Sequence, residues 1–333
     1  MTLIVHPHFH SRYTGVTRHV ESVVPALERV DETRVIGSGL SESLPRITWG
    51  ELLRRSRREP IVWHAHRNNE LMAGMLLRLL GRHVRLVFTR HTSIAPTGFT
   101  RWLARCADAR VALTQQISEV FRLPSSIVSH GIDLSRFHPP ENRDDAWRSL
   151  GQGGRYGIGV IGRIRAEKGQ GDFIEAMRPV LPANPDWQAV LVGLAKGPDL
   201  DWVNKLRAGI EDRVTLAGEQ AVIEPWYRGL TILVHPSYAE GYSLVHVEAM
   251  ASGCCVVASK LPYLDTLIEH GRTGFFFEPG DVKGLRELLT ELLREPERAR
   301  AVGRNASEEA RSRCGVEHEA KALTALYRSL VEP

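Results

Sequence analysis

The chain has 333 residues, 43% of them hydrophobic and 25% charged, which suits two globular domains and excludes a disordered or low-complexity protein. No apolar run reaches the roughly 18 residues of a membrane-spanning helix, and MTLIVHPHF lacks the basic and apolar regions of a secretory signal. The net charge of +4 is unevenly held: residues 1–150 carry 21 Arg, no Lys and 14 acidic side chains, a net +7, against a net −3 for residues 151–333, so the first half suits an anionic partner.

In chain order, short apolar runs alternate with helical patterns. Strands are expected at 2–5, 60–65, 84–89, 109–114 and 125–131, with helices at 16–29, 69–80 and 100–106. A polar stretch rich in Gly and Pro, 139–157, reads as a linker. The alternation then restarts, with strands at 156–162, 188–193, 213–218, 231–237 and 254–259. Helices are expected at 169–181, 199–211, 244–252, 281–295, 297–312 and 317–331. Continuous apolar strands between amphipathic helices imply an α/β protein with parallel sheets covered on both faces. The expected division is a first domain at 1–150, a second at 151–312, and a C-terminal helix at 313–333 that packs back towards the first. Ligands in such sheets sit beyond the carboxyl ends of the strands. Cys106, Cys254, Cys255 and Cys314 form no CxxC pair, so neither a disulfide framework nor a cysteine zinc site is expected, and a reducing cytoplasm fits.

Three segments carry chemistry. In PSYAEGYSLVHVEAMASGCCVVA (236–258), Glu240 precedes a helix that Ser243 can cap and Gly253 can end, and Glu248 lies inside it. First-turn amides favour a phosphate, and carboxylates accept two hydrogen bonds from sugar hydroxyls. In GVIGRIRAEKG (159–169), a strand ends at Gly162, followed by Arg163 and Lys168. A planar fork and a point charge there could neutralise a diphosphate. In HPHFHSRYTGVTRHVESVV (6–24), Gly15 opens a helix, but no GxGxxG is present, so the nicotinamide fingerprint is missing. His64 and His66 in HAH point the same way on a strand; with no third ligand evident, no metal site is expected.

Together with SHGIDLSRFHP (129–139) and GRTGFFFEPGD (271–281), these segments resemble the family-4 glycosyltransferases over nearly the whole chain. The resemblance implies the GT-B architecture, two Rossmann-like domains whose parallel sheets face across a cleft. It implies a metal-independent enzyme that moves a hexose from a nucleotide-sugar with retention of configuration, with no cofactor and no DxD metal site. Arg163 and Lys168 match the pair that grips the donor diphosphate. Glu240 matches the contact to the donor sugar and Glu248 the contact to the ribose. Gly162 and the amides of Gly241, Tyr242, Ser243, Leu244 and Val245 match the cradle around sugar and phosphates; Gly218 and Glu219 lie where the base is held. Gly15 matches the glycine loop of the first domain, where many relatives have two glycines. His91 matches a histidine near the reacting sugar, so the implied catalytic set is Glu240, His91, Arg163 and Lys168.

Residues 62–80 and 89–109 are similar to a subgroup, the bacterial lipopolysaccharide-core mannosyltransferases that use GDP-mannose and act on Kdo. An anionic glycolipid suits the arginine-rich half, and Arg12, Arg67, Asn68, Asn69 and Arg90 are the acceptor candidates. Arg54, Arg55, Arg57 and Arg58, with Trp49, Leu52 and Leu53, form a surface suited to peripheral association at the cytoplasmic face of an inner membrane. The alternatives are a family-4 transferase using a UDP-sugar on another glycan, or a non-catalytic nucleotide-sugar binder. Nucleic acid is not an expected partner, because the basic side chains are not interleaved with stacking aromatics.

Overall fold

The computed structural model describes residues 2–11 and 14–332. The chain forms two units, Met1–Asp133 with Cys314–Pro333, and Leu134–Arg313. In the first, strands β1 (Leu3–Phe9), β2 (Thr33–Ser38), β3 (Ile61–Ala65), β4 (Val84–Arg90), β5 (Ala109–Ala112) and β6 (Ser126–Ile127) alternate with helices α1 (Gly15–Glu28), α2 (Trp49–Arg54), α3 (Asn68–Leu79), α4 (Gly98–Arg105) and α5 (Gln115–Phe121). In the second, α6 (Arg143–Arg148) leads into β7 (Tyr156–Ile161), α7 (Gln170–Met177), β8 (Trp187–Val192), α8 (Pro198–Arg207), β9 (Val214–Gly218), α9 (Glu224–Gly229), β10 (Leu230–His235), α10 (Leu244–Ala251), β11 (Cys255–Ser259), β12 (Phe275–Phe277), α11 (Val282–Arg294) and α12 (Pro296–Arg313). The last helix, α13 (Val316–Val331), returns to the first unit.

Each unit holds a six-stranded parallel sheet, in the orders β2-β1-β3-β4-β5-β6 and β12-β11-β10-β7-β8-β9. The strand order reverses between β1 and β3 in one and between β7 and β10 in the other. Ligand crevices open at such switch points, beyond the carboxyl ends of the strands. The central strands are buried on both faces, which is why they read as unbroken apolar runs; β7, β8 and β10 are buried throughout.

The division between units falls at Asp133, earlier than the polar stretch suggests. That stretch contains α6, which is bound into the second unit. Trp147 is fully buried against the backbone of Gly157, where a Cβ would come within 2.5 Å of the indole, and its Nε1 donates to Gly153 O at 3.0 Å. The Arg143 guanidinium donates to the carbonyls of Arg228 and Ser252 at 3.0 and 2.7 Å and also to that of Leu230. Polarity and glycine content, which suggested a linker, here belong to a helix with one buried face.

Helix α13 completes the first core. Val316, Ala320, Leu323 and Tyr327 pack among Val20, Val23, Val24 and Leu27, with α13 lying on α1. Gly131 has no room for a side chain, because a Cβ would lie 2.6 Å from Gly315 O, and Ile132 pairs with Gly315.

Candidate functional site

In the second unit, the loops after β7 and β10 meet at the switch point. Gly169 takes a left-handed φ of +71° and sits where a Cβ would be 2.0 Å from Pro236 O, so the two loops touch backbone to backbone. Tyr238 N donates to Glu167 O at 3.1 Å, and Tyr238 Oη to Asp172 Oδ2 at 2.8 Å. This clamp brings Lys168 Nζ to 2.5 Å from Glu240 Oε1, with the two side chains 33% and 15% exposed. Arg163 stands exposed in the same loop; its carbonyl is fixed by Gln170 Nε2 at 3.0 Å, and its guanidinium has no partner among the described residues.

Behind Glu240 lies a buried polar layer that no sequence motif pointed to. His235 Nε2 is 3.6 Å from Glu240 Oε1 and 3.4 Å from Ser243 Oγ. Burial pushes His235 down to about 4, against the opposing pull of Glu240, so the imidazole is neutral at pH 7. Tyr263 Oη accepts from the Ser243 amide at 3.1 Å and lies 3.0 Å from His246 Nδ1. Ser243 therefore precedes α10 without a side-chain cap bond, and its amide is taken by Tyr263. The amides of Leu244 and Val245 open the first turn of α10, where no earlier turn can accept from them, and Gly241 and Tyr242 are half-buried in the loop before it. Glu248, inside α10, is 1% exposed and accepts from Tyr227 Oη at 2.7 Å.

Glycines with positive φ end three neighbouring strands: Gly162 (+140°), Gly193 (+151°) and Gly218 (+71°). Gly193 was not singled out from the sequence, although it closes the apolar run QAVLVG as the other two close theirs. A Cβ on it would lie 1.9 Å from Gly162 O, and its amide donates to Gly218 O at 2.8 Å. Gly162 and Gly218 instead face open space, so a ligand can approach their backbone closely. Glu219 follows, exposed.

In the first unit the acceptor candidates are differently placed. Arg12 lies outside the described residues. Arg67 is engaged: Nη1 reaches Glu70 Oε1 at 3.1 Å and Nη2 reaches Thr14 Oγ1 at 3.2 Å, which ties the start of α3 to the start of α1. Asn68 Nδ2 donates to Thr100 Oγ1 at 2.8 Å and joins α3 to α4. Asn69 is exposed, and Arg90 donates to the Ile94 carbonyl. Gly15 opens α1 after the Thr14 cap, with open space where a Cβ would stand. His91 presents no spare nitrogen: Nε2 is 3.0 Å from His66 Nδ1, and Nδ1 is 3.1 Å from His130 Nε2.

The HAH pair does gain a third neighbour. His6 joins His64 and His66 in a buried group whose ligand atoms lie within 4.8 Å of one another, and His19, His130 and Glu319 form a second such group. Most ring nitrogens of the two groups already have hydrogen-bond partners within the protein. His64 already has hydroxyls on both nitrogens, Tyr327 Oη at 2.5 Å and Thr89 Oγ1 at 2.6 Å. His19 and His130 stack at 3.7 Å with planes 26° apart, so their in-plane lone pairs run side by side. The sequence also holds an Asp-x-Asp triplet, Asp199–Leu200–Asp201. It lies in the first turn of α8, where residues two apart do not face each other and cannot share one ion.

Residues 155–295 match the family model described as "Glycosyl transferases group 1". The whole chain is similar to a lipopolysaccharide core biosynthesis mannosyltransferase, LpcC, of Rhizobium leguminosarum bv. viciae, at 37% identity over 98% of this chain and 96% of that protein. It is similar to LpsB of Rhizobium meliloti (strain 1021), of the same description, at 33% identity over 98% and 97%. In fold it matches the Anabaena protein Alr3699/HepE, solved in complex with UDP, with a TM-score of 0.82 at 21% identity over 99% of this chain and 100% of that one.

Proposed function

The chain belongs to the group 1 glycosyltransferases, and from that premise we propose that it is a mannosyltransferase of lipopolysaccharide core assembly, moving mannose from GDP-mannose to a Kdo-bearing glycolipid with retention and without a metal ion. The observation that carries the reading is the Lys168–Glu240 pair at the switch point, with Arg163 exposed in the same loop as Lys168. A donor diphosphate competes with Glu240 for the Lys168 ammonium. When it wins, phosphate charge is met by Lys168, Arg163 and the first-turn amides of α10, and Glu240 is released to accept from the sugar hydroxyls. Glu248, held by Tyr227, keeps a fixed carboxylate for the ribose. Gly218 and Glu219 flank the base. Arg163 and Lys168 stabilise the leaving group, which takes the acceptor proton as it departs; no carboxylate acts as a nucleophile.

The acceptor side draws support from an unusual helix. Solvent-facing helices carry a polar outer face, but α3 is apolar on both sides. Leu71, Gly74 and Leu77 point inward, while Met72, Leu76, Leu79 and Leu80 are exposed, Leu79 at 83%. Its neighbour α4 exposes the stacked pair Phe99 and Trp102, and Ile94 just before it is 75% exposed. Arg54, Arg57, Arg58 and Arg105 are exposed on the same unit. Arg55 is not available, being held by Glu32 and Glu59, and Leu52 is buried. An apolar surface with a basic border suits an anionic bilayer that carries the lipid acceptor, with Asn69 and Arg90 nearby as its contacts. No helix of the described residues is long and apolar enough to cross a membrane.

Thermal-shift measurements with GDP, UDP, ADP and their sugars, in EDTA, test the donor. A selective rise with GDP and GDP-mannose is expected, worth about 2.7 kcal/mol at a hundred times the dissociation constant. A rise with UDP or ADP alone overturns the mannose reading, and abolition by EDTA overturns metal independence.

A further inference from the structure

Along the carboxyl edge of the first sheet runs a single file of side chains, of which the resemblance gave a role to His91 alone. His6 Nδ1 lies 3.3 Å from His66 Nε2, and His66 Nδ1 3.0 Å from His91 Nε2. His91 Nδ1 lies 3.1 Å from His130 Nε2, and His130 Nδ1 3.0 Å from Glu319 Oε1 on α13. The other carboxylate oxygen accepts from the Gly131 amide at 2.8 Å. All five groups are buried except His91, which is half-buried. A neutral imidazole has one N–H and one lone pair, so each tautomer dictates the next. With Glu319 ionised, His130, His91, His66 and His6 must all carry the proton on Nδ1. The file then ends in a lone pair on His6 Nε2, an atom with no partner among the described residues. With Glu319 protonated on Oε1, every bond reverses, and all four carry the proton on Nε2. Any mixture sets two hydrogens or two lone pairs against each other.

We propose that Glu319 is a positioning residue that sets the tautomer of His91 through His130, and that the file is a one-proton relay between His6 Nε2 and Glu319. One proton bound at His6 Nε2 sends the Nδ1 proton of His6 to His66, that of His66 to His91, that of His91 to His130 and that of His130 to Glu319. The net change is one proton gained and one negative charge lost. Burial favours the relay over a trapped imidazolium. It pushes His6 and His130 down to about 3, and holds His66 and His91 well below the usual range with help from neighbouring histidines. Burial also raises the Glu319 carboxyl well above its usual range, against the Gly131 amide. The other titratable or charged groups facing the file are His19, stacked on His130 with Nδ1 3.4 Å from Glu319; His64 and Tyr327; Glu70, which accepts from the His66 amide at 2.8 Å; and Arg67 and Arg90. The tautomer order stands on this geometry; its effect on turnover rests on His91 lying beside the reacting sugar.

Nitrogen-15 spectra of histidine-labelled protein read each tautomer directly. In the unsubstituted protein, raising the pH should convert His6, His66, His91 and His130 together from Nε2–H to Nδ1–H. In Glu319→Gln the amide oxygen faces the Gly131 N–H and the amide nitrogen faces His130, so the Nε2–H set should persist at every pH. Independent titration of the four, the same transition in E319Q, or a stoichiometric transition metal in the purified protein overturns the relay. The variant should also lose about tenfold in kcat and one limb of the pH–rate profile, with the donor KM kept. Reversed tautomers with unchanged turnover would keep the relay and overturn the positioning role of His91 instead.

Discussion

At the scale of single residues, the proposed donor site centres on the Lys168–Glu240 ion pair, in which an incoming diphosphate would compete with Glu240 for Lys168. Lys168 and Glu240 are close enough to satisfy each other, so either alone is a partial site. On the proposed reading, Glu240→Ala removes a charge-assisted contact to the sugar, worth about 1.5–3 kcal/mol, so transfer should fall roughly ten- to a hundredfold. The fold should survive, because the side chain borders solvent and its loop is held by Tyr238, Gly169 and Tyr263 rather than by Glu240. Initial rates with GDP-mannose together with a melting curve check this, and wild-type turnover would remove Glu240 from the site. Residues that share one short loop, such as Arg163 and Lys168, can be grouped from a sequence because the chain itself holds them near one another. Tyr263 and His235 are not, because they reach Ser243 and Glu240 only through folding. Asn68 reads as a free acceptor contact for the same reason, its partner Thr100 lying 32 positions away; Arg67 reaches Thr14, 53 positions away, but also Glu70, only three positions on.

At the scale of elements, the buried strands were the easiest to read and the half-exposed ones the hardest. β7, β8 and β10 declare themselves as apolar runs, whereas β2 runs from Thr33 into the exposed Gly37 and Ser38, and β12 is three residues long. Helix α6 was hidden by its polar outer face, although it carries one of the largest buried side chains. Its seat is a test of packing. Gly157→Ala drives a methyl group into the Trp147 ring and should destabilise the second unit by about 1–3 kcal/mol, and Trp147→Ala by about 3–5 kcal/mol, in denaturant unfolding. A neutral Gly157→Ala would mean that α6 is loosely attached and that the boundary belongs after it.

At the scale of the whole molecule, charge and apolar surface are both sorted by unit. Counted by the observed division, the first unit holds a net +6 and the second a net −2. The first unit also carries the exposed faces of α3 and α4. Binding to vesicles of phosphatidylglycerol and phosphatidylethanolamine should weaken as salt rises, and should be lost in a Leu76→Ser, Leu79→Ser, Trp102→Ser variant that retains nucleotide binding. Equal binding to neutral vesicles would overturn the charge term, and unchanged binding by the variant would overturn the surface. The division at 150 shows the same sorting, +7 against −3, although the units divide after Asp133 and Arg313. The return of α13 carries a further consequence, for the order of synthesis. Residues 134–313 form a contiguous unit and can fold as they emerge, but the first 133 residues lack one side of their core until the last helix leaves the ribosome. At about 5–20 residues per second, that is a wait on the order of ten to forty seconds. Through that interval the grooves on α1 that Leu323 and Tyr327 will fill stand open to chaperones, so residues 1–133 become native only after the later unit has had time to fold.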